Sequence, residues 1–169
     1  MTSARRAVHL VRRFVGSLRP GGPPEADRVW AEGQLRGGEV GLWRAMPAAD
    51  RRHAVGVARR VDGRLGHDAP RPVLAAALLH DVGKLDAGLG TFGRVAATLV
   101  AEVAGPARVA AWDNRFGRYL RHDELGAARL AAAGSDPLTV AWAREHHRPP
   151  AAWTLPRAWA DALKAADDD

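Results

Sequence analysis

Cysteine is absent from this chain of 169 residues. That excludes disulfides, zinc fingers and thiolate catalysis, and it leaves His, Asp and Glu as the side chains able to ligate a metal. Lysine is nearly absent as well, occurring only at Lys84 and Lys164, so almost all of the 25 basic residues are arginine. Such a bias reads as codon composition, and most of the arginines read as solvated surface. Against that background a lysine three residues after an aspartate stands out at position 84. Aromatics make up only 6% of the chain, and Trp30, Trp43, Trp112, Trp142, Trp153 and Trp159 are scattered at positions that suit a core or an interface. With neither a stacking platform nor a basic run, dedicated nucleic-acid binding is not expected. No apolar run approaches the ~18 residues of a transmembrane helix. The N-terminus also lacks the apolar stretch of a secretory signal. A cytoplasmic protein is expected.

What is present is ordinary for a globular domain: 47% hydrophobic and 26% charged residues. The formal charge of +6 and pI near 11.0 favour anionic partners, such as small phosphorylated molecules. Apolar spacing is helical almost throughout. Val8, Val11, Phe14, Val15 and Leu18 form an amphipathic stripe, ended by the Pro/Gly-rich residues 20–24. This Arg-rich segment also has the look of a transit peptide or a membrane-surface helix, but its stripe suits packing on the domain. Further helices are expected after Pro24, at 39–46, from Asp50 to Leu65, and over Val73–His80 with Pro72 in its first turn. Others are expected near 92–103, 106–112, 122–133, 137–147 and 156–168. The helix Val73–His80 is apolar on nearly every side and should be central, with Gly83 letting it end. Ser135-Asp136-Pro137 makes a helix start, and Gly134 a stop for the helix before it. Nothing shows the alternation of strands. The reading is all-α: residues 1–25 an N-terminal amphipathic helix and linker, residues 26–169 a single compact domain.

The stretch His80-Asp81-Val82-Gly83-Lys84 places an imidazole and a carboxylate side by side, a mixed set that divalent metals accept. His53 precedes it; His122, the pair His146-His147 and Asp167 follow. A lone histidine in a helix is usually a surface or satisfied core residue, and His9 and His67 are read that way. For the others, burying so many polar groups without a shared partner would be costly. Adjacent histidines at a helix C-terminus are also what the helix dipole alone favours.

This ordered series resembles the HD-domain metal-dependent phosphohydrolases over roughly residues 40–169. The resemblance implies a helical HD-type domain in which His53, His80, Asp81 and Asp167 hold one metal. It further implies that His122 and one or both of His146 and His147 hold a second, with Asp81 bridging. The set suits iron or manganese and does not exclude nickel, cobalt or zinc. Two such ions about 3.5–4 Å apart would generate a metal-activated hydroxide to attack a phosphoester or phosphoanhydride bond of a nucleotide-like substrate. Asp81 and Lys84 are the residues expected at the chemistry, Lys84 touching the scissile phosphate. A solvated lysine at a helix end is the plainer account of that position. Arg118, Arg121 and Arg148 flank ligand positions and could clamp further phosphates. The chain departs from the cyclic-di-GMP branch, because Arg148-Pro149-Pro150 stands where that branch has its acidic residue and Gly-Tyr-Pro segment. Asp161 and Asp168 compete with Asp167 as the last ligand. A single-metal nucleotidase, or a non-catalytic HD module sensing a phosphorylated ligand, are the alternatives. Specificity is expected in residues 85–91, 104–118 and 148–155.

Overall fold

The computed structural model describes residues 21–169. The first amphipathic helix expected from the sequence lies outside the described residues. Among those described, every regular element is helical and no strand occurs. The order is α1 (Glu25–Gly33), α2 (Gly37–Ala45), α3 (Ala48–Arg64), α4 (Arg71–Leu79), the short α5 (Lys84–Ala87), α6 (Thr91–Ala104), α7 (Pro106–Ala110) and α8 (Arg115–Leu120). Then follow α9 (His122–Ala132), α10 (Pro137–Glu145), a 3-10 turn at Pro150–Ala152, and α11 (Arg157–Asp167). No described helix is long and apolar enough to cross a membrane.

The chain folds around α4. Every residue from Val73 to Gly83 is buried, as a helix without a polar face requires. Helices α2, α3, α10 and α11 pack around it. The small residues Ala75, Ala76 and Ala77 leave room for those neighbours to come close. Trp43 and Trp142 are fully buried with Leu78, Leu79, Leu130 and Leu163, whereas Trp30, Trp112, Trp153 and Trp159 are half-buried.

Local signals set the boundaries. Asp136 caps α10 by accepting from Leu138 N–H at 3.0 Å, and Pro137 occupies the first turn. Gly134, with φ +73°, closes α9 in the left-handed conformation that favours glycine. Two short helices differ from expectation: α5 falls in residues read as loop, and α8 falls between the expected helices. Each is too short for an apolar period to register. α8 depends on a cap, since the Asn114 side chain accepts from Phe116 N–H at 2.9 Å and Gly117 N–H at 3.0 Å. Gly83 also differs. Its backbone is right-handed helical (φ −66°) and leads directly into α5, so it does not end α4 by flexibility.

Candidate metal centre

Five helices deliver the polar residues to one place. His53 lies in α3, His80 follows the last residue of α4 with Asp81 next to it, His122 opens α9, His146 and His147 follow α10, and Asp167 ends α11. They form two adjoining groups, Asp81-His122-His146-His147 and His53-His80-Asp167, with the ligand-type atoms of each group within 4.8 Å of one another. Asp81 faces both: one carboxylate oxygen is 3.4 Å from His80 Nε2, the other 3.5 Å from His122 Nε2 and 3.8 Å from His146 Nε2. Asp167 Oδ1 lies 3.1 Å from His53 Nε2 and 3.6 Å from His80 Nε2. Arg60 secures the end of α11 by donating to the Ala166 carbonyl at 2.9 Å.

The ring orientations follow from helix ends. A carbonyl oxygen only accepts, so each ring nitrogen facing one must carry the proton. His80 Nδ1 donates to Ala77 O at 2.9 Å, His122 Nδ1 to Tyr119 O at 2.7 Å, and His146 Nδ1 to Ala143 O at 3.0 Å. These carbonyls belong to the last turns of α4, α8 and α10, where the helical ladder leaves acceptors unused. A neutral ring whose Nδ1 is the donor turns an Nε2 lone pair towards the cluster. His80 Nε2 and His146 Nε2 are buried and have no hydrogen-bond partner among the described residues. A buried nitrogen lone pair facing carboxylates, with no donor to satisfy it, is what a cation would satisfy. On this test the residues fit a metal ion.

The electrostatics keep Asp81 ionised and His146 and His147 neutral, as ligands are, whereas His80 leans towards its charged form. Burial and the neighbouring His80 and His147 push His146 well below the ordinary imidazole value. Burial and the facing His122 lower His147 to about 4, with solvent at its exposed side screening part of that shift. Burial would raise Asp81, but the charges of Lys84 and His80 head the effects that outweigh it and hold the carboxyl well below its usual range. For His80, burial opposes charging, and the Asp81 and Asp167 carboxylates overcome it and raise the pKa. Lys84 is mostly buried and donates to the Asp81 oxygen that faces His80, so it is not a freely solvated lysine.

Gly83 and Gly126 set how near α9 comes. A Cβ at Gly83 would sit 1.8 Å from the His122 carbonyl oxygen and 2.5 Å from Gly126 N. Only a glycine allows that backbone contact, and the contact brings His122 beside Asp81.

The alternatives for the last acidic residue are placed elsewhere. Asp161 accepts from Arg157 at 2.9 Å and Asp168 from Lys164 at 2.7 Å, both on the surface. His67 is exposed and 3.2 Å from Asp62, and His9 lies outside the described residues. Arg118 is exposed and faces Asp113, Arg121 reaches back to Gly117 O, and Arg148 is exposed. Sequence reasoning missed Glu145 and Arg94. Glu145 is buried and accepts from Thr154 N–H at 2.7 Å and Thr154 Oγ1–H at 2.9 Å. It thereby fastens residues 148–155 to the end of α10. Arg94 donates twice to Asp50 at 2.6 Å, one turn before His53. A charged residue in an otherwise apolar stretch of helix was the available signal for Arg94, and a Glu beside the His pair was the one for Glu145.

No family model, no curated protein and no solved structure matches the chain. An all-helical fold with a buried His/Asp cluster that could bind a metal is compatible with an HD-type domain.

Proposed function

We propose that the protein is a metal-dependent phosphohydrolase acting on a phosphoester or phosphoanhydride bond of a small nucleotide-like substrate. The observation that carries the reading is Asp81, whose two oxygens face different histidines in the two adjoining donor groups. In this reading His53, His80 and Asp167 hold one ion, His122, His146 and His147 hold a second, and Asp81 serves both. Imidazoles and carboxylates without a thiolate suit iron or manganese, and the same donors accept nickel, cobalt or zinc. When bound, such ions lower the pKa of water and neutralise phosphoryl charge.

The chain's own residues supply the rest. The Nδ1 bonds to Ala77, Tyr119 and Ala143 hold three imidazoles in register. Lys84, anchored beside Asp81, places an ammonium where a phosphoryl oxygen would need a donor. The positive formal charge of +6 draws an anionic substrate.

Metal content per chain is the test, on protein purified without chelator or histidine tag beside a His122→Ala variant. The expected result is about two ions, falling towards one in the variant, with loss of bis(p-nitrophenyl) phosphate hydrolysis. One ion, unchanged in the variant, would assign a single-metal nucleotidase. No uptake after anaerobic reconstitution with iron and manganese would leave a module that senses a phosphorylated ligand without cleaving it.

A further inference from the structure

Arg94, in the first turn of α6, is fixed beside the cluster without belonging to it. Its guanidinium donates from Nη1 and Nη2 to the two Asp50 oxygens at 2.6 Å each, and from Nε to the Leu89 carbonyl at 3.0 Å. Only 18% of the Arg94 side chain and 12% of the Asp50 side chain are exposed. A guanidinium has five N–H groups, so one on each Nη is left with no acceptor among the described residues. Three neighbours locate this charge. Asp50 precedes His53 by one turn of α3 and lies on the same face of the helix. Tyr119 is the second: α6 and α8 pack together, and the Tyr119 ring stacks on His122 with centroids 5.8 Å apart. Burial would discharge Arg94, but the hydrogen bonds and charge of Asp50 outweigh it, and Asp81 and Tyr119 add to them, so its pKa is raised. The guanidinium thus stands beside His53 of one donor group, near His122 of the other, and within electrostatic reach of the carboxylate common to both.

We propose that Arg94 binds a second phosphoryl group of the substrate, next to the one held at Asp81, so that the substrate class is a diphosphate or a longer phosphoanhydride. This rests on the phosphohydrolase reading and narrows it. A lone phosphoryl group facing metal ions and Lys84 has its charge met, which leaves a further fixed guanidinium without a role in a monoester. In a diphosphate the adjoining phosphoryl carries charge of its own, and a guanidinium suits it. The Arg94–Asp50 pair also lines a cleft of about 90 Å³ with Pro47, Leu89, Gly90 and Thr91. At ~30 Å³ per water that is room for about three waters, and hence for one phosphoryl group. Leu89, Gly90 and Thr91 fall within residues 85–91, where specificity is expected. A tie between α3 and α6 is the plainer role of the pair, yet a buried ion pair adds little stability over apolar packing.

Binding of imidodiphosphate, which resists hydrolysis, and of orthophosphate to the full chain reconstituted with manganese tests the proposal. Calorimetric titrations compare the unaltered chain with Arg94→Gln and Asp50→Asn, with the fold checked by circular dichroism and metal content read after each titration. Asp50→Asn breaks the same ion pair as Arg94→Gln but keeps the guanidinium. The unaltered chain should bind imidodiphosphate at least ~10-fold tighter than orthophosphate, which one hydrogen bond from a charged donor is enough to supply. Arg94→Gln should erase that preference with metal content and orthophosphate affinity unchanged, and Asp50→Asn should keep most of it. If Arg94→Gln does not fold, Arg94→Lys takes its place and should lower the preference severalfold. A preference that survives Arg94→Gln, or falls alike in both variants, overturns the proposal and leaves the pair as a tie between α3 and α6. Equal binding of the two anions by the unaltered chain overturns it too, and leaves the phosphohydrolase reading standing. Binding of neither anion overturns both. A preference that depends on Arg94 in a chain without hydrolytic activity keeps the diphosphate assignment and removes the hydrolase.

Discussion

A histidine that opens or follows a helix end can serve two needs at once. At His80, His122 and His146 the Nδ1 proton satisfies a carbonyl that the helical ladder leaves open, and the same bond fixes which nitrogen faces the cluster. The dipole account of the His146-His147 pair and the ligand account are therefore compatible. Which aspartate joins them is settled by helix phase. Ala160, Leu163 and Ala166 mark the buried side of α11, and Asp167, four residues after Leu163, falls on it, whereas Asp161 and Asp168 turn to solvent and pair with Arg157 and Lys164. That phase was readable in the spacing of the apolar residues, and it discriminates better than the local Ala-Asp pattern. Asp167→Asn is expected to lower metal retention at least tenfold. Asp161→Asn and Asp168→Asn should leave it unchanged, with plasma mass spectrometry of the dialysed proteins as the measurement. Asp81→Asn should lower uptake further than Asp167→Asn, because it removes the carboxylate common to both groups. Equal retention in Asp167→Asn and Asp168→Asn would place the ligand elsewhere.

Between elements, the contact that decides the site is backbone on backbone. Gly83 meets the His122 carbonyl and Gly126 N where no side chain fits. Gly83→Ala must push α9 away from the turn after α4, carrying His122 from Asp81. The expected cost is about 3 kcal/mol or more, at the upper end for overpacking, together with loss of metal from the His122 group. Gly126→Ala is milder, since its Cβ would meet Gly83 N at 3.0 Å, a contact a small shift relieves. Urea denaturation of the two variants ranks them, and a Gly83→Ala protein as stable as Gly126→Ala would remove this contact from the account. Glu145→Gln keeps the side chain's size but loses one of two acceptors for Thr154. It is expected to cost about 1–3 kcal/mol and loosen residues 148–155, as hydrogen exchange at Thr154 would show. Long helices such as α3, α4 and α9 were legible because several turns repeat one apolar period. α5 and α8 were not, being held by tertiary contacts with each other and by the Asn114 cap. The glycine contact was legible only as two glycines near ligands. Its reason appears once α9 lies against the turn after α4.

For the molecule as a whole, the centre is a place where folding stability and proton binding are linked. His146 and His147 are held neutral in the fold, below their ordinary imidazole value of 6.5, and His147 titrates at about 4. Between those values the unfolded chain binds protons that the folded chain refuses, so stability falls as the pH falls. His80 is shifted the opposite way. Its contribution is complete once the pH is below 6.5, so it does not offset the loss in that window. Asp81, held well below 3.8, keeps its contribution until more acidic conditions still. Protein stripped with a chelator should therefore lose at least ~3 °C in Tm between pH 6.5 and 4.5, equivalent to about 1 kcal/mol for a chain of this size. His147→Asn should flatten part of that slope. A bound metal would add a second linkage, since an ion that binds the folded form alone stabilises it, and protons compete for the same nitrogens. Loaded protein should thus melt higher than stripped protein at pH 7.5, and the two curves should converge on acidification as the ion leaves. Calorimetry across this range, with metal content read at each pH, separates the two linkages. A stripped protein whose Tm is level or rises on acidification would show that these imidazoles are not held neutral by burial. Curves that stay apart at pH 4.5 would show an ion held by groups other than the histidines.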